Sequence, residues 1–292
     1  MKKSALLLAF FLCAFSHAQT SIQPLAVTSS FRGQSDAQGN QWGELTISLR
    51  IPPMPSVQGA PFSGREERRG EQLLPDGGRV TLPNPAPSQI ARDTQGRTRV
   101  ERPLTSGFAL PGRPAQVPLV MVEINDPVEG CYYLLDSAKK IAYRVKFSPV
   151  PSRSIANNQS AFPPGVAQAA LIPGGNPLMP QVTTESLGTK FIQGVQAEGR
   201  RQTTVFPPGS RGNDRPMTDI SENWIAPSLQ VTLLSTTKTA SGTNSVEITN
   251  LSTINPTPDL FRPPPGYQIT DQPASFTVEF GNRPAATPGT QR

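Results

Sequence analysis

Imidazole chemistry has a single source in this chain, because His17 is the only histidine among the 292 residues. Ser-His-Asp and Cys-His catalysis both need an imidazole that accepts the proton of the nucleophile. His17 lies in an N-terminal segment with the features of an export signal, which is removed from the mature protein. We therefore expect neither form of catalysis in the mature chain.

Thiol chemistry is similarly restricted, since Cys13 and Cys131 are the only cysteines. Cys13 lies in the same N-terminal segment, so the mature chain keeps one thiol and cannot form an internal disulfide. The apolar residues 132–135 that follow Cys131 read as a strand, which favours a buried and unreactive cysteine. A lone thiol with carboxylates does not supply the usual ligands of zinc. We predict no metal site and no cofactor.

Two further patterns match catalytic chemistry by residue type. Ser137 and Lys140 have the Ser-x-x-Lys spacing of serine–lysine acylases, in which one helical turn brings the amine to the hydroxyl. Here the spacing falls in a predicted turn between strands, which does not stack the two side chains. Asp219 and Glu222 could act as an acid–base pair on a glycan, but solvated strand ends are the favoured interpretation. We predict no catalytic residue and a protein that is not an enzyme.

The N-terminus carries the clearest targeting signal. Lys2 and Lys3 precede an apolar run from Ala5 to Phe15, which is too short to span a bilayer. Ser16 and Ala18 then place small residues at the positions that a signal peptidase accepts. We expect cleavage after Ala18, export to the periplasm or the extracellular space, and no transmembrane segment in the mature chain.

The composition indicates strands joined by long irregular stretches. The sequence holds 33 prolines and only 16% charged residues, and proline neither continues a helix nor pairs in a central strand. The formal net charge is +6, which includes two lysines of the leader. The arginines within 65–69 are interleaved with glutamates rather than clustered. We therefore expect no nucleic-acid partner.

The fold class follows from period-two patterning. Between Ile141 and Phe147, apolar residues alternate with residues such as Arg144 and Lys146, which is typical of a strand with one buried face. Other strand-like segments flank turn signals at 93–96 and 126–130. We predict a mainly β protein, built on a curved antiparallel, half-barrel-like sheet with few short helices and long proline-rich loops.

The same patterning divides the chain into four parts. A strand at 44–51 is the one element predicted in the second part, and a last strand at 275–280 is predicted in the fourth. The parts are a signal peptide (1–18), a weakly patterned N-terminal region (19–78), an antiparallel β domain (79–270) with a proline-rich loop (149–180), and a largely disordered tail (271–292). The loop is either disordered or functional, and in the second case it is a candidate lid.

Several short motifs between residues 90 and 270 resemble a family of acidobacterial exported proteins. The motifs are Ile90–Arg99, Asp126–Pro127 with Tyr133–Asp136, Leu187–Gly199, Asn213–Pro216, Glu222–Gln230 and Pro258–Tyr267. Their strand order is similar to that of the LolA, LppX and RseB envelope proteins. This resemblance implies a half-barrel whose concave face binds an acyl chain or lipopolysaccharide, or, as for RseB, a module that docks a protein partner.

Aromatic residues are the candidates for binding. We predict Tyr133, Phe191 and Trp224 as ligand-binding residues, while noting that aromatic side chains in strands chiefly fill the space between layers. A single curved sheet needs helices, a lid or a ligand to cover its concave face, and the sequence offers few helices. The predicted function is an exported envelope protein that binds a lipid or another hydrophobic ligand. The alternatives are a protein docking or regulatory module of the envelope and a glycan-acting enzyme.

Overall fold

Strands dominate the fold of the protein, whose structure is a computed structural model. The structure describes residues 11–13, 26–35, 41–51, 56–82, 85–104, 119–149, 153–154, 178–281 and 283. The predicted mainly β class with few helices is confirmed. Most of the predicted signal peptide (all but residues 11–13), most of the loop 149–180 and the end of the tail lie outside the described residues.

Nineteen strands and a short 3-10 helix, Pro258–Phe261, follow one another along the described residues. The first ten strands are β1 (Phe11–Cys13), β2 (Ala26–Ser35), β3 (Gln41–Arg50), β4 (Val57–Gln58), β5 (Phe62–Leu73), β6 (Arg79–Leu82), β7 (Ser88–Arg92), β8 (Thr98–Pro103), β9 (Val120–Asp126) and β10 (Cys131–Asp136). The others are β11 (Ile141–Lys146), β12 (Arg153–Ser154), β13 (Gln181–Ile192), β14 (Val195–Phe206), β15 (Met217–Ala226), β16 (Val231–Thr239), β17 (Gly242–Ser252), β18 (Gln268–Asp271) and β19 (Ser275–Gly281).

The chain divides into two compact units. The first, which we call the sandwich unit, takes its residues from Met1–Ser56, Gly96–Ser152 and Thr257–Arg292. The second, which we call the sheet unit, takes its residues from Val57–Gln95 and Arg153–Pro256. Each unit is therefore assembled from segments that are far apart in the sequence.

Two sheets build the sandwich unit. One is antiparallel with the strand order β1–β2–β3–β19, and the other has the order β8–β9–β10–β11–β18 and ends in a parallel β11–β18 pair. Apolar side chains from both sheets pack between them, with the ring centroids of Tyr143 and Phe276 6.1 Å apart. The buried residues of this core are Phe31, Leu45, Ile47, Leu49, Leu104, Met121, Tyr132, Leu134, Tyr143, Val145, Phe147, Phe276 and Phe280.

Aspartates fix the two hairpin turns of the second sheet. Asp126 Oδ1 accepts hydrogen bonds from the backbone N–H groups of Val128 and Glu129, at 2.9 and 3.0 Å. Asp136 Oδ1 accepts the corresponding pair of backbone N–H groups in the turn before β11. Aspartate favours such turns because its short side chain bonds to the backbone two residues on. The hairpins β9–β10 and β10–β11 thus form where the local sequence predicts them.

The sheet unit is built on one antiparallel sheet with the order β13–β14–β15–β16–β17–β5–β7, and β6 pairs with β5. Most residues in its strands are at least partly exposed. A small interior lies near Arg92, whose Nε donates to the Ala60 carbonyl at 2.9 Å and whose guanidinium lies 4.9 Å from the Phe62 ring centroid. Burial lowers the pKa of Arg92 to about 10. The short strands β4 and β12 form a separate parallel pair.

The N-terminal region 19–78 differs from its sequence-based description. It supplies three long strands, β2, β3 and β5, where the sequence predicts one. The partners of these strands are distant in sequence, as the pairing of Arg65 on β5 with Thr249 on β17 illustrates. The segment 79–270 likewise contributes to both units rather than forming one domain. Local patterning could not indicate these assignments, because the hydrogen-bonded partners of these strands include strands that are distant in the sequence.

Candidate functional site

The edge strand β13 is long and exposed. It pairs with β14 on one side, and among the residues that the structure describes no strand pairs with its other side. Every residue of β13 is exposed except Leu187 and Ile192. A strand edge carries a row of unpaired backbone N–H and C=O groups, which can pair with another strand. The free edge of β13 is therefore the main candidate for binding a partner.

Apolar side chains are exposed along this edge. The large ones on β13 or just before it are Leu178, Met179, Val182 and Phe191. Phe191 is the most open of them, with 76% of its surface exposed. Val182 and Phe191 lie on the same face of the sheet, because their partners Thr204 and Gln196 are an even number of residues apart on β14. Exposed apolar side chains beside a free edge add a contact surface to it.

A β-bulge interrupts β13 near its middle. Ser186 pairs with Arg200 and Gly188 pairs with Gly199, so Leu187 is the extra residue on β13. Gly188 has a φ of 76°, a left-handed conformation that glycine adopts without steric cost. The bulge shifts the alternation of side chains between the two faces of the strand.

This shift places Glu185 and Lys190 on one face, although they are five positions apart. Glu185 pairs with Arg201 and Lys190 pairs with Ala197, and these two β14 residues lie four positions apart on the same face. We call this side of the sheet the charged face. Without the bulge the two side chains would point to opposite faces.

Trp224 packs on the charged face. Its cross-strand partner is Gly199, and a Cβ atom at Gly199 would lie 2.6 Å from the indole ring and 2.8 Å from Leu187 Cβ. Glycine is therefore required for this close approach. Lys190 Nζ lies 3.8 Å from the ring centroid in a cation–π contact. Trp224 is thus held between neighbouring side chains and helps to fix the edge strand.

A ladder of ion pairs crosses β13, β14 and β15 on the charged face. Arg201 Nε donates to Glu222 Oε1 and Arg201 Nη1 donates to Glu185 Oε1, both at 2.7 Å. The hydrogen bonds to Glu222 and Glu185 raise the pKa of the Arg201 guanidinium. Cross-strand pairs of this kind stabilise a sheet.

The opposite face, which carries Phe191, is mostly polar on β14 and β15. Ser235 Oγ donates to Asn223 Oδ1 at 2.8 Å, and Asn223 Nδ2 donates to Ser221 Oγ at 3.2 Å. Glu198 lies on the same face as Phe191, two residues beyond Gln196 on β14. Phe191 therefore stands beside polar neighbours on β14 and β15.

The predicted ligand-binding residues do not form one site. Phe191 and Trp224 lie near the same edge but on opposite faces of the sheet. Tyr133 belongs to the sandwich unit, where it is buried on β10. Burial and a hydrogen bond with Cys131 raise the pKa of Tyr133 to about 12. Cys131 is itself buried, and desolvation raises its pKa to about 11, which agrees with the predicted unreactive thiol.

The sandwich unit contains a buried polar cluster. Arg102 Nη2 lies 2.7 Å from Glu123 Oε2, and the Tyr132 hydroxyl donates to Glu123 Oε1 at 2.9 Å. Burial raises the pKa of Tyr132 well above its usual value. Asn125 and Thr98 are buried opposite each other, and their side-chain polar atoms have no hydrogen-bond partner within the described residues. Buried polar atoms without a protein partner are typical positions for ordered water.

The residue pairs considered for catalysis do not converge. Asp219 and Glu222 lie on opposite faces of β15, where Asp219 pairs with Arg211 and Glu222 with Arg201. The Nζ atom of Lys140 lies over the ring of Tyr267, at 5.2 Å from its centroid, rather than beside Ser137. In the part of the chain that is described, no group of three or more His, Cys, Asp or Glu residues could hold a metal ion.

Glu185 and Lys190 are not among the residues predicted for a binding site. Gln193 and Gly194 form the turn between β13 and β14. Both turn residues have positive φ, 50° and 78°, as in the tight turns that join paired strands. The Gln193-Gly194 pair between two strand-like segments is the local signal for this hairpin.

Comparison with models of known protein families and with curated proteins found no match. Over the described residues, no helix has the length and apolar character required to cross a membrane.

Proposed function

We propose that the protein is an exported docking module, which binds an extended segment of a protein partner along the free edge of β13. The observation that carries the proposal is a long, exposed strand with one unpaired side among the described residues. In strand addition, main-chain hydrogen bonds supply affinity and alternate side chains supply specificity. Phe191 and Lys190 would then contact the partner from opposite faces of the extended sheet.

The packing behind β13 supports this role. The ion ladder through Arg201 and the close contact of Trp224 with Gly199 hold β13 against β14 and β15. An edge that is already ordered loses little conformational freedom when a partner binds, which favours affinity. The strand is therefore preorganised for pairing.

An apolar ligand is the second candidate, and the exposure of Phe191 favours it. An acyl chain gains roughly 0.8 kcal/mol for each methylene that it buries, so it needs a continuous apolar surface or cavity. The polar residues around Asn223 interrupt the face that carries Phe191. The interior between the two sheets of the sandwich unit is packed with side chains of its own. Both observations support docking over carriage of a lipid.

A pair of proline variants, Thr183→Pro and Thr184→Pro, tests the docking proposal. Alternate residues of an antiparallel strand direct their N–H groups to the neighbouring strand, so one of these two groups bonds to β14 and the other points to the free edge. Extended peptides selected from a random library would serve as probes, with affinity measured by calorimetry. The variant that keeps the wild-type free energy of unfolding should lose at least about tenfold in affinity, because it lacks an outward donor.

The two variants are matched controls for each other, since both introduce proline into the same strand. If no selected peptide protects the β13 amides from hydrogen exchange, or if both variants bind as the wild type does, the docking proposal is wrong. Native mass spectrometry with organic extraction provides the alternative readout. Phospholipid or fatty acid that copurifies in near-stoichiometric amount would favour the apolar-ligand candidate.

A further inference from the structure

We infer that the segment that docks on β13 is β13 of a second copy of this chain, paired antiparallel about a twofold axis between Leu187 and Gly188. This inference rests on the proposed function and names the partner of the same edge. A twofold axis is the usual symmetry of a protein that associates with itself, because one surface then serves both copies. The sequence of β13 must in that case complement itself when it is read in reverse.

The bulge restricts the register of such a pairing. Residues that lie directly opposite each other in an antiparallel pair point to the same face of the sheet. Leu187 lies on the charged face, because its Cβ is 2.8 Å from the position that a Cβ on Gly199 would occupy. Gly188, the partner of Gly199, lies on that face too. Two consecutive residues of β13, Leu187 and Gly188, thus share one face. Only a twofold axis between them places Leu187 of one copy opposite Gly188 of the other.

The faces agree along the rest of the strand in this register. Ser186 stands opposite Thr189 of the partner subunit, and both lie on the face of Phe191. Thr184 and Phe191 also stand opposite each other on that face. An axis moved by one position in either direction would oppose residues from different faces at the centre of the pair. Among registers that place the bulge of one copy opposite the bulge of the other, the faces therefore select this one without reference to charge.

Charge complementarity gives an independent reason for the same register. Glu185 stands opposite Lys190 of the partner subunit on the charged face, and the symmetry repeats the pair. These are the two charged residues of β13. A register centred on either of them would oppose like charges, which is unfavourable in a strand pair. The pairing also covers the ring of Phe191, which has 76% of its surface exposed in the single chain.

The expected association is weak and depends on concentration. One pair of edge strands buries less than the roughly 800 Å² per partner of a standard stable interface. Sedimentation equilibrium of the mature protein over a wide concentration range should therefore show monomers and dimers in exchange. The dimer should be the largest species, because each copy offers one β13 edge.

Two charge reversals test the register. In Glu185→Lys the two copies would oppose lysine to lysine, and in Lys190→Glu they would oppose glutamate to glutamate. Each variant alone should dimerise at least about tenfold more weakly than the wild type, since two attractive pairs become two repulsive pairs. An equimolar mixture of the two variants should regain wild-type affinity as a heterodimer, because every cross-strand pair is again attractive. The double variant E185K/K190E should regain it as a homodimer.

Matched controls separate the register from general effects of charge. Lys238→Glu on β16 and Glu71→Lys on β5 change charge in the same two directions on strands away from β13, and should leave the dissociation constant unchanged. The free energy of unfolding of each variant shows whether loss of the intrachain contacts of Glu185 and Lys190 with Arg201 and Trp224 has disturbed the fold. The mixing experiment is insensitive to such losses, because each variant carries the same loss in its homodimer and in the heterodimer.

The outcomes distinguish the inference from the proposal on which it rests. A wild-type protein that stays monomeric at all concentrations but binds selected peptides along β13 would overturn the inference and leave the docking function standing. A monomer that binds no peptide would overturn both. A dimer that is indifferent to both charge reversals, or a mixture that fails to recover, would show that the copies associate elsewhere or in another register.

Discussion

The sandwich unit and the sheet unit are both made of strands, but different interactions hold them together. The sandwich unit buries one face of each of its two sheets in a common apolar core. In the sheet unit most strand residues stay partly exposed, and cross-strand pairs such as Arg201 with Glu222 connect the strands. Core burial contributes more free energy per side chain than exposed cross-strand pairs do.

This contrast has a functional consequence. A core between two sheets fixes each strand from one face and leaves little surface free for a partner. A sheet whose strands are joined mainly by hydrogen bonds and side-chain ladders can be extended by one more strand at its edge without repacking. The sheet unit therefore carries the candidate site. Stability should depend mainly on the core of the sandwich unit, and binding on the edge of the sheet unit.

The largest expected effect concerns the buried ion pair of the sandwich unit. In Arg102→Leu the Glu123 carboxylate loses its buried cationic partner, and the free energy of unfolding should fall by about 4 kcal/mol. The double variant R102L/E123L removes both charges and should be much less destabilised, since no unpaired charge stays buried. Urea denaturation followed by circular dichroism measures both. Equal losses in the single and double variants would contradict this interpretation.

The next largest effect is on the free energy of unfolding when leucine is replaced by alanine in each of the two units. Leu134→Ala opens a cavity in the core of the sandwich unit and should lower the free energy of unfolding by about 3 kcal/mol. Leu234→Ala on β16 removes a side chain that is only partly buried, and should cost about 1 kcal/mol. The same denaturation experiment provides the comparison. Similar losses would mean that the sheet unit depends on apolar burial as strongly as the sandwich unit.

Alkaline pH should weaken the sandwich unit, which contains all four tyrosines. Desolvation raises the pKa of each one, in the case of Tyr133 to about 12. The folded state then holds these protons more tightly than the unfolded state, in which the pKa of tyrosine is about 10. The resulting stability is fully present below that pH and is lost as pH rises towards the folded-state values. Near-ultraviolet absorbance of tyrosinate, recorded with the unfolding free energy, tests this; early ionisation without unfolding would contradict it.

The smallest expected effect separates the two aromatic residues at the candidate edge. Trp224→Ser removes the ring that packs over Gly199 and should lower the free energy of unfolding by about 2 kcal/mol. Phe191→Ser should change it by less than about 0.5 kcal/mol, because the ring is exposed. The second variant should instead weaken pairing at β13. A stable Phe191→Ser protein that binds and dimerises as the wild type does would show that Phe191 is not part of the site.

The fold class and the local hairpins could be predicted from the amino-acid sequence alone. Alternation between Ile141 and Phe147 and the turn aspartates Asp126 and Asp136 depend on neighbouring residues, so they could be predicted without knowledge of the rest of the chain. The burial of Cys131 followed in the same way from the apolar residues beside it. Phe191 was predicted as a binding residue from its type, and its exposure supports a role in contact.

The assignment of strands to a unit, and the contacts between distant side chains, depend on the tertiary structure. Arg65 pairs with Thr249, and the Thr46 and Thr277 hydroxyls lie 2.9 Å apart, across separations that no local pattern encodes. The exact position of the bulge at Leu187 likewise follows only from the register with β14. The physical reason is that propensity and turn chemistry act over a few residues, whereas register and edge exposure depend on which distant strand becomes the neighbour.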